Sequence, residues 1–250
     1  MDSNKRKISG FSLIEMMVAL AAGLIVSTAV VAFAFSSMKS NGEYVQSTRL
    51  TQELRNTMDL VTRELRRAGY DEYALKYLAS GNASPFSRLL LDNTNVTPSG
   101  TFSCVVYSYD RDKGIPGTRD TSNGEIRGIR WFSRTVNGET VGVIEYAESS
   151  GSTGVACDGD SPDYTKYPVA CDSVSHWCAL SDPRRLNVSQ FAITDNRAVV
   201  EGVQVRDLDV SMIGGLAGSS DISREVKSKI RVRSDCYDPT IGNCSTNPSP

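Results

Sequence analysis

Apolar positions along this chain change their period twice. Met16 to Phe35 are twenty consecutive residues without a charged side chain, close to the ~20 that a helix needs to span a hydrocarbon core. Further on the apolar residues thin to one side. Val45, Leu50, Leu54, Met58, Val61, Leu65 and Ala68 recur at intervals of three to five, the spacing of a single helix face. Arg49, Glu53, Arg55, Asp59, Arg63, Glu64, Arg66 and Arg67 fill the gaps. Gly69 offers a C-terminal cap, and the basic residues of the last turn suit the helix dipole. No proline precedes Pro85, so the pattern predicts a helix from Leu13 to Ala68, ~84 Å long if continuous. Ser40-Asn41-Gly42 is its weakest point.

Beyond Gly69 the period falls to two. Cys104–Tyr109, Ile126–Phe132, Val141–Tyr146, Val188–Ile193, Val199–Val205, Leu208–Met212 and Val226–Val232 are short runs rich in Val, Ile, Tyr and Phe. Each is bounded by Gly, Asn, Asp or Pro, as strands are. Asn137-Gly138 predicts a tight turn joining the second and third of them as a hairpin. In the last run Lys227, Lys229 and Arg231 fall on one face and Val226, Ile230 and Val232 on the other. Long connections at 79–101, 148–187 and 213–224 hold most of the turn-forming residues. The predicted class is α+β, the amphipathic half of the helix covering an antiparallel sheet.

Charge gives the chain a direction. Lys5, Arg6 and Lys7 outnumber Asp2 ahead of the apolar run, which keeps the leader cytoplasmic and sends residues after about Phe35 across the membrane. One carboxylate, Glu15, lies inside the spanning segment, where a charge costs roughly 2.5–3.5 kcal/mol unless it finds a partner. A second subunit supplying a cation would relieve that cost and fix the axial stagger between copies.

The stretch Gly10-Phe11-Ser12-Leu13-Ile14-Glu15-Met16-Met17-Val18-Ala19-Leu20 resembles the type IV pilin superfamily of pilins, minor pilins and type II secretion pseudopilins. The charged leader, the Gly/Phe junction, the lone acid five positions on and the long apolar run occur together. The resemblance implies cleavage after Gly10 by a prepilin peptidase, methylation of the new Phe11 amine, and pairing of Glu15 with the Phe11 amine of a neighbour. Gln52 to Tyr70, ending Leu65-Arg66-Arg67-Ala68-Gly69-Tyr70, narrows the likeness to minor pilins of the PilW type. Ala32 stands where major pilins carry proline, which favours a minor component. The expected organisation is a leader over 1–10, a membrane and assembly helix over 11–35, its amphipathic continuation over 36–69, and a β-rich domain over 70–250.

Cys104, Cys157, Cys171, Cys178, Cys236 and Cys244 all follow the membrane segment, where topology predicts an oxidising compartment. An even number there favours disulfides. Nearest neighbours would pair 171 with 178, 236 with 244, and 104 with 157, one of 15 possible connectivities. No C-x-x-C spacing accompanies the single His176, so zinc is disfavoured. Asp110 and Asp112 sketch a degraded calcium loop, with Gly114 at the fifth position where a sixth is wanted. Asp158, Asp160 and Asp163 make a second acidic loop. Arg127, Arg130 and Arg134 around Trp131 and Phe132 could meet a nucleic-acid strand. Alternation instead predicts one buried aromatic, Trp131, and a solvated edge bearing Arg130, Phe132 and Arg134.

No G-x-S-x-G or phosphate-binding glycine loop is present, and no enzyme is expected. Removing the leader leaves the chain mildly acidic, giving no reason to expect nucleic acid. The expected role is structural: a minor pilin held in the inner membrane, then assembled with other minor pilins and the major pilin through an inner-membrane platform. No cofactor is expected beyond the calcium candidates. A type II secretion minor pseudopilin is the close alternative, and a tip adhesin or DNA-binding module the alternative of another class.

Overall fold

The computed structural model describes residues 10–79, 84–92, 100–111, 119–120, 122–136, 138–200, 203–218 and 222–237. The chain divides into two units after Thr48. Helix α1, Leu13–Leu65, runs through both. In the first unit its side chains are open to the surroundings, and Val45, expected on the buried stripe, keeps 42% of its surface.

In the second unit the stripe is buried as the spacing demands. Leu50, Leu54, Val61 and Leu65 are fully enclosed, with Met58 and Ala68 nearly so. Helical geometry ends at Leu65, three residues before the sequence expectation, and the next turn tightens. The N–H groups of Arg67 and Ala68 bond carbonyls three residues back, a 3₁₀-type closure that uses up helix-end acceptors. Gly69 then turns left-handed at φ 78°, a conformation that costs any residue with a Cβ.

A short helix α2, Ala74–Ala79, and a 3₁₀ turn, Pro85–Ser87, lead into the strands. Among the described residues the strands are β1 (Leu89–Asp92), β2 (Cys104–Ser108), β3 (Ile126–Val136), β4 (Glu139–Glu148), β5 (Trp177–Ala179), β6 (Leu186–Val200), β7 (Val203–Leu216) and β8 (Ser223–Tyr237). They form two antiparallel sheets, β1-β2-β3-β4-β5 and β6-β7-β8, where the sequence predicts one. The α+β class with antiparallel strands under the helix holds, but the expected strand Val199–Val205 is not a single strand. Val200 pairs with Val203 across the β6–β7 hairpin, so an apolar run that looks continuous is the meeting of two strand ends. β1 and β5 lie inside stretches expected to be connections, because three or four residues carry too little alternation to stand out.

One core joins all the layers. The helix stripe packs with Val105, Tyr107, Ile129 and Ile144 of the first sheet and with Phe191, Leu208, Val210 and Ile230 of the second. The sheets meet where β4 approaches β6. There the Trp131 indole N–H donates to the Val188 carbonyl at 2.6 Å, and the Asn187 side chain accepts from the Gly142 N–H at 3.0 Å. A Cβ on Gly142 would lie 1.9 Å from the Val188 oxygen, so the approach requires glycine.

Candidate assembly site

At the N-terminus, Ser12 caps α1. Its carbonyl accepts from the Met16 N–H at 3.1 Å, and its own N–H donates to Glu15 Oε2 at 3.1 Å. An acid three residues past the cap, reaching back to it, is one arm of a capping box. The carboxylate therefore sits at the positive end of the helix dipole, among N–H groups that have no intrahelical acceptor. The sequence signal for this was present as Ser12-x-x-Glu15, and the emphasis on an intersubunit partner passes over it. Phe11 precedes the cap, 84% exposed, and every large apolar side chain from there to Phe35 keeps at least 52% of its surface. The Thr28 hydroxyl is satisfied inside the helix by the Ile25 carbonyl at 2.8 Å. What remains is a polar end on an oily cylinder, a surface suited to lipid or to other helices.

The second unit explains the phrase that ends the helix. Glu64 Oε2 meets Arg127 Nη1 of β3 at 2.8 Å, and Arg127 also reaches Glu148 at 3.3 Å. The Arg127 guanidinium lies 4.9 Å from the Tyr109 ring centroid and 5.7 Å from that of Tyr146. Burial, then the Glu64 charge, pushes the Tyr107 hydroxyl well above its usual pKa, so it stays a neutral donor toward Glu64. The Gly69 N–H donates to the Ser108 carbonyl and the Asp110 N–H to the Tyr70 carbonyl, both at 2.8 Å. Glu64, Gly69 and Tyr70 thus clamp the helix end to β2 and β3.

On the far face of the first sheet, the edge expected to be solvated is covered. Arg130 and Glu145 are fully buried and paired at 2.7 Å. The remaining Arg130 N–H groups reach the carbonyls of Cys157 at 2.7 Å, Gly159 at 2.6 Å and Asp160 at 3.3 Å, and the Ser161 hydroxyl at 2.7 Å. Its guanidinium stacks 4.0 Å from the Trp177 ring centroid. Tyr164 donates to Glu145 at 2.9 Å; burial and then the Glu145 charge hold that phenol above its ordinary pKa. This arginine uses its full fork of donors to bind a roof formed by residues 157–164 onto β3 and β4. Arg127 and Arg130 are accordingly spent inside the domain, and Trp131, half-buried, points to Val188.

Cys104 is bonded to Cys157, and Cys171 to Cys178. The side chain of Cys236, and all of Cys244 and Asp112, lie outside the described residues. Asp110 is buried and accepts from the Glu72 N–H at 3.2 Å. Asp163 accepts from the Thr165 N–H at 3.0 Å and its hydroxyl at 2.5 Å. Among the described residues no three or more His, Cys, Asp or Glu side chains converge as metal ligands.

The geometry at the N-terminus has a counterpart among known families. Residues 5–31 match the prokaryotic N-terminal methylation motif. Residues 43–232 match the family described as prepilin peptidase-dependent protein B. The chain belongs to that family. No curated protein and no solved structure matches it. As a member of the prepilin peptidase-dependent protein B family, it is a pilin-like protein of pilin or pseudopilin type, and among the described residues one helix is long and apolar enough to cross a membrane. Processing by prepilin peptidase and assembly with other pilins or pseudopilins belong to that type.

Proposed function

We propose that this chain is a minor pilin of the PilW type. It joins other minor pilins to prime type IV pilus assembly, stands at or near the tip, and performs no catalysis. The observation that carries the reading is the union, in one chain, of the methylation motif and the prepilin peptidase-dependent domain, with the Ser12–Glu15 cap at its helix start. In this reading the peptidase cuts after Gly10 and methylates Phe11. The leader faces the cytoplasm, the first unit is held in the inner membrane, and the domain stands in the periplasm until it enters the filament.

The cap suggests how assembly proceeds. Before assembly Glu15 holds one backbone N–H. In the filament it gains the Phe11 ammonium of a neighbour, a bond in which donor and acceptor are both charged, where in the cap bond only the carboxylate is. Mass spectrometry of the assembled protein tests the processing: a mature form beginning with methylated Phe11 is expected, and a functional filament retaining Met1 overturns the proposal. Deletion of the gene should abolish surface pili and leave protein secretion intact; the reverse outcome would assign the chain to a secretion pseudopilus.

A further inference from the structure

A cavity of about 600 Å³ lies on the far face of the first sheet, away from the helix. Its floor is Leu90, Val106 and Ile126, and its wall is the segment Gly154–Asp158. That wall is fixed before anything binds. Cys157 is bonded to Cys104 of β2, the Ala156 carbonyl accepts from the Trp177 indole at 3.1 Å, and the Cys157 carbonyl accepts from Arg130 at 2.7 Å. The size and the apolar lining fall within the range of ligand pockets.

The charges on its rim are sorted by strand register. Arg88 is extended, and with Leu90 and Asp92 it alternates onto one face, so Arg88 and Asp92 stand ~13–14 Å apart. Arg119 joins Arg88 at one end. Burial and, second, the charge of Arg88 lower the Arg119 guanidinium, and among the described residues no ion pair neutralises either. Asp92 pairs in register with Cys104, whose disulfide partner Cys157 precedes Asp158, so both carboxylates gather at the other end. The trough is basic at one end, oily in the middle and acidic at the other.

The geometry points to a protein-binding trough for a short extended segment of a partner, apolar at its centre, with a carboxylate and a cation four residues apart. An extended chain carries side chains at i, i+2 and i+4 on one face over the same ~13–14 Å, so the carboxylate meets Arg88 and Arg119 while the cation meets Asp158 at the Asp92 end. This proposal is independent of the filament role.

The test uses the full chain in lipid nanodiscs and three blocked, dye-labelled pentapeptides sharing a Leu-Val-Leu centre. One carries Lys and Glu at its ends, one Lys at both, one Glu at both. Saturable binding of the Lys/Glu peptide, at least tenfold tighter than the other two, is expected. The double change Arg88→Glu and Arg119→Glu should switch preference to the Lys/Lys peptide, and Val155→Trp, which fills the trough, should abolish binding. Equal binding of all three, no binding at millimolar peptide, or an unchanged preference in the Arg88→Glu, Arg119→Glu protein would each overturn it. Near-UV circular dichroism confirms folding; if the double variant is unfolded, the Val155→Trp result and the three-peptide ratio decide.

Discussion

Arg130 is the residue on which the roof of the first sheet depends. Replacing it with Met leaves the buried Glu145 with only Arg134, at 3.6 Å, as its counter-charge, a loss toward the lower end of the about 3–5 kcal/mol that breaking a buried pair costs. A buried pair can often be exchanged for apolar residues at little cost, but here three carbonyls of the roof would lose their donor as well. Arg130→Met combined with Glu145→Leu should therefore stay at least about 2 kcal/mol less stable than the parent in urea denaturation. Asp163 gives a pH signature. Its carboxyl is lowered to about 2, first by the Thr165 hydroxyl, then by the Thr165 N–H and Lys166. A folded pKa below the unfolded value of 3.8 means the contribution is complete above about pH 4 and is lost as pH falls through 2. Asp163→Asn should make the melting temperature fall less steeply between pH 4 and 2, and an NMR titration of Asp163 should place its midpoint near 2. Residue chemistry of this kind was only partly legible. A two-residue turn at Asn137-Gly138 makes Val136 face Glu139, and counting back along both strands sets Arg130 opposite Glu145, as observed. That both would be buried was invisible, because the roof comes from a turn-rich segment with no period.

At the scale of elements, two glycines carry the joints. Gly69 closes α1 in the left-handed region at φ 78°; Gly69→Val should cost about 1–3 kcal/mol, with Gly69→Asn milder because Asn tolerates that region better. Gly142 sits where the two sheets touch, and Gly142→Ala forces a methyl against backbone oxygen rather than a movable side chain. Its expected cost is about 3 kcal/mol or more, read by denaturant midpoint, with loss of near-UV signal from the adjacent Trp131. The cap at Gly69 follows from a glycine after a periodic run. The role of Gly142 does not, since within a strand pattern it resembles any interior glycine. The strand expected at Val199–Val205 failed for a related reason: two β-branched runs separated by Glu201-Gly202 look continuous until their pairing is known.

Across the whole domain, covalent links tie distant parts together. Cys104–Cys157 closes a separation of 53 residues and Cys171–Cys178 one of 7. By loop-closure entropy these contribute about 4 and about 2 kcal/mol. Replacing both members of each pair by Ala should therefore destabilise the domain unequally, the longer link costing more. Equal losses in calorimetry would mean that the wall of the trough is held chiefly by Arg130 and Trp177.

The sequence alone determined what depends on local order: the oily run, the amphipathic stripe, the acid near the helix start, the hairpin turn and the α+β class. Each is a repeat or motif whose physical consequence lies within a few residues of itself. Tertiary structure decided the split into two sheets, the burial of Arg130 with Glu145, and the sorting of charge along the trough. These depend on which segments far apart in the chain come into contact, and side-chain period, which reports only the face a residue occupies, cannot say what covers that face.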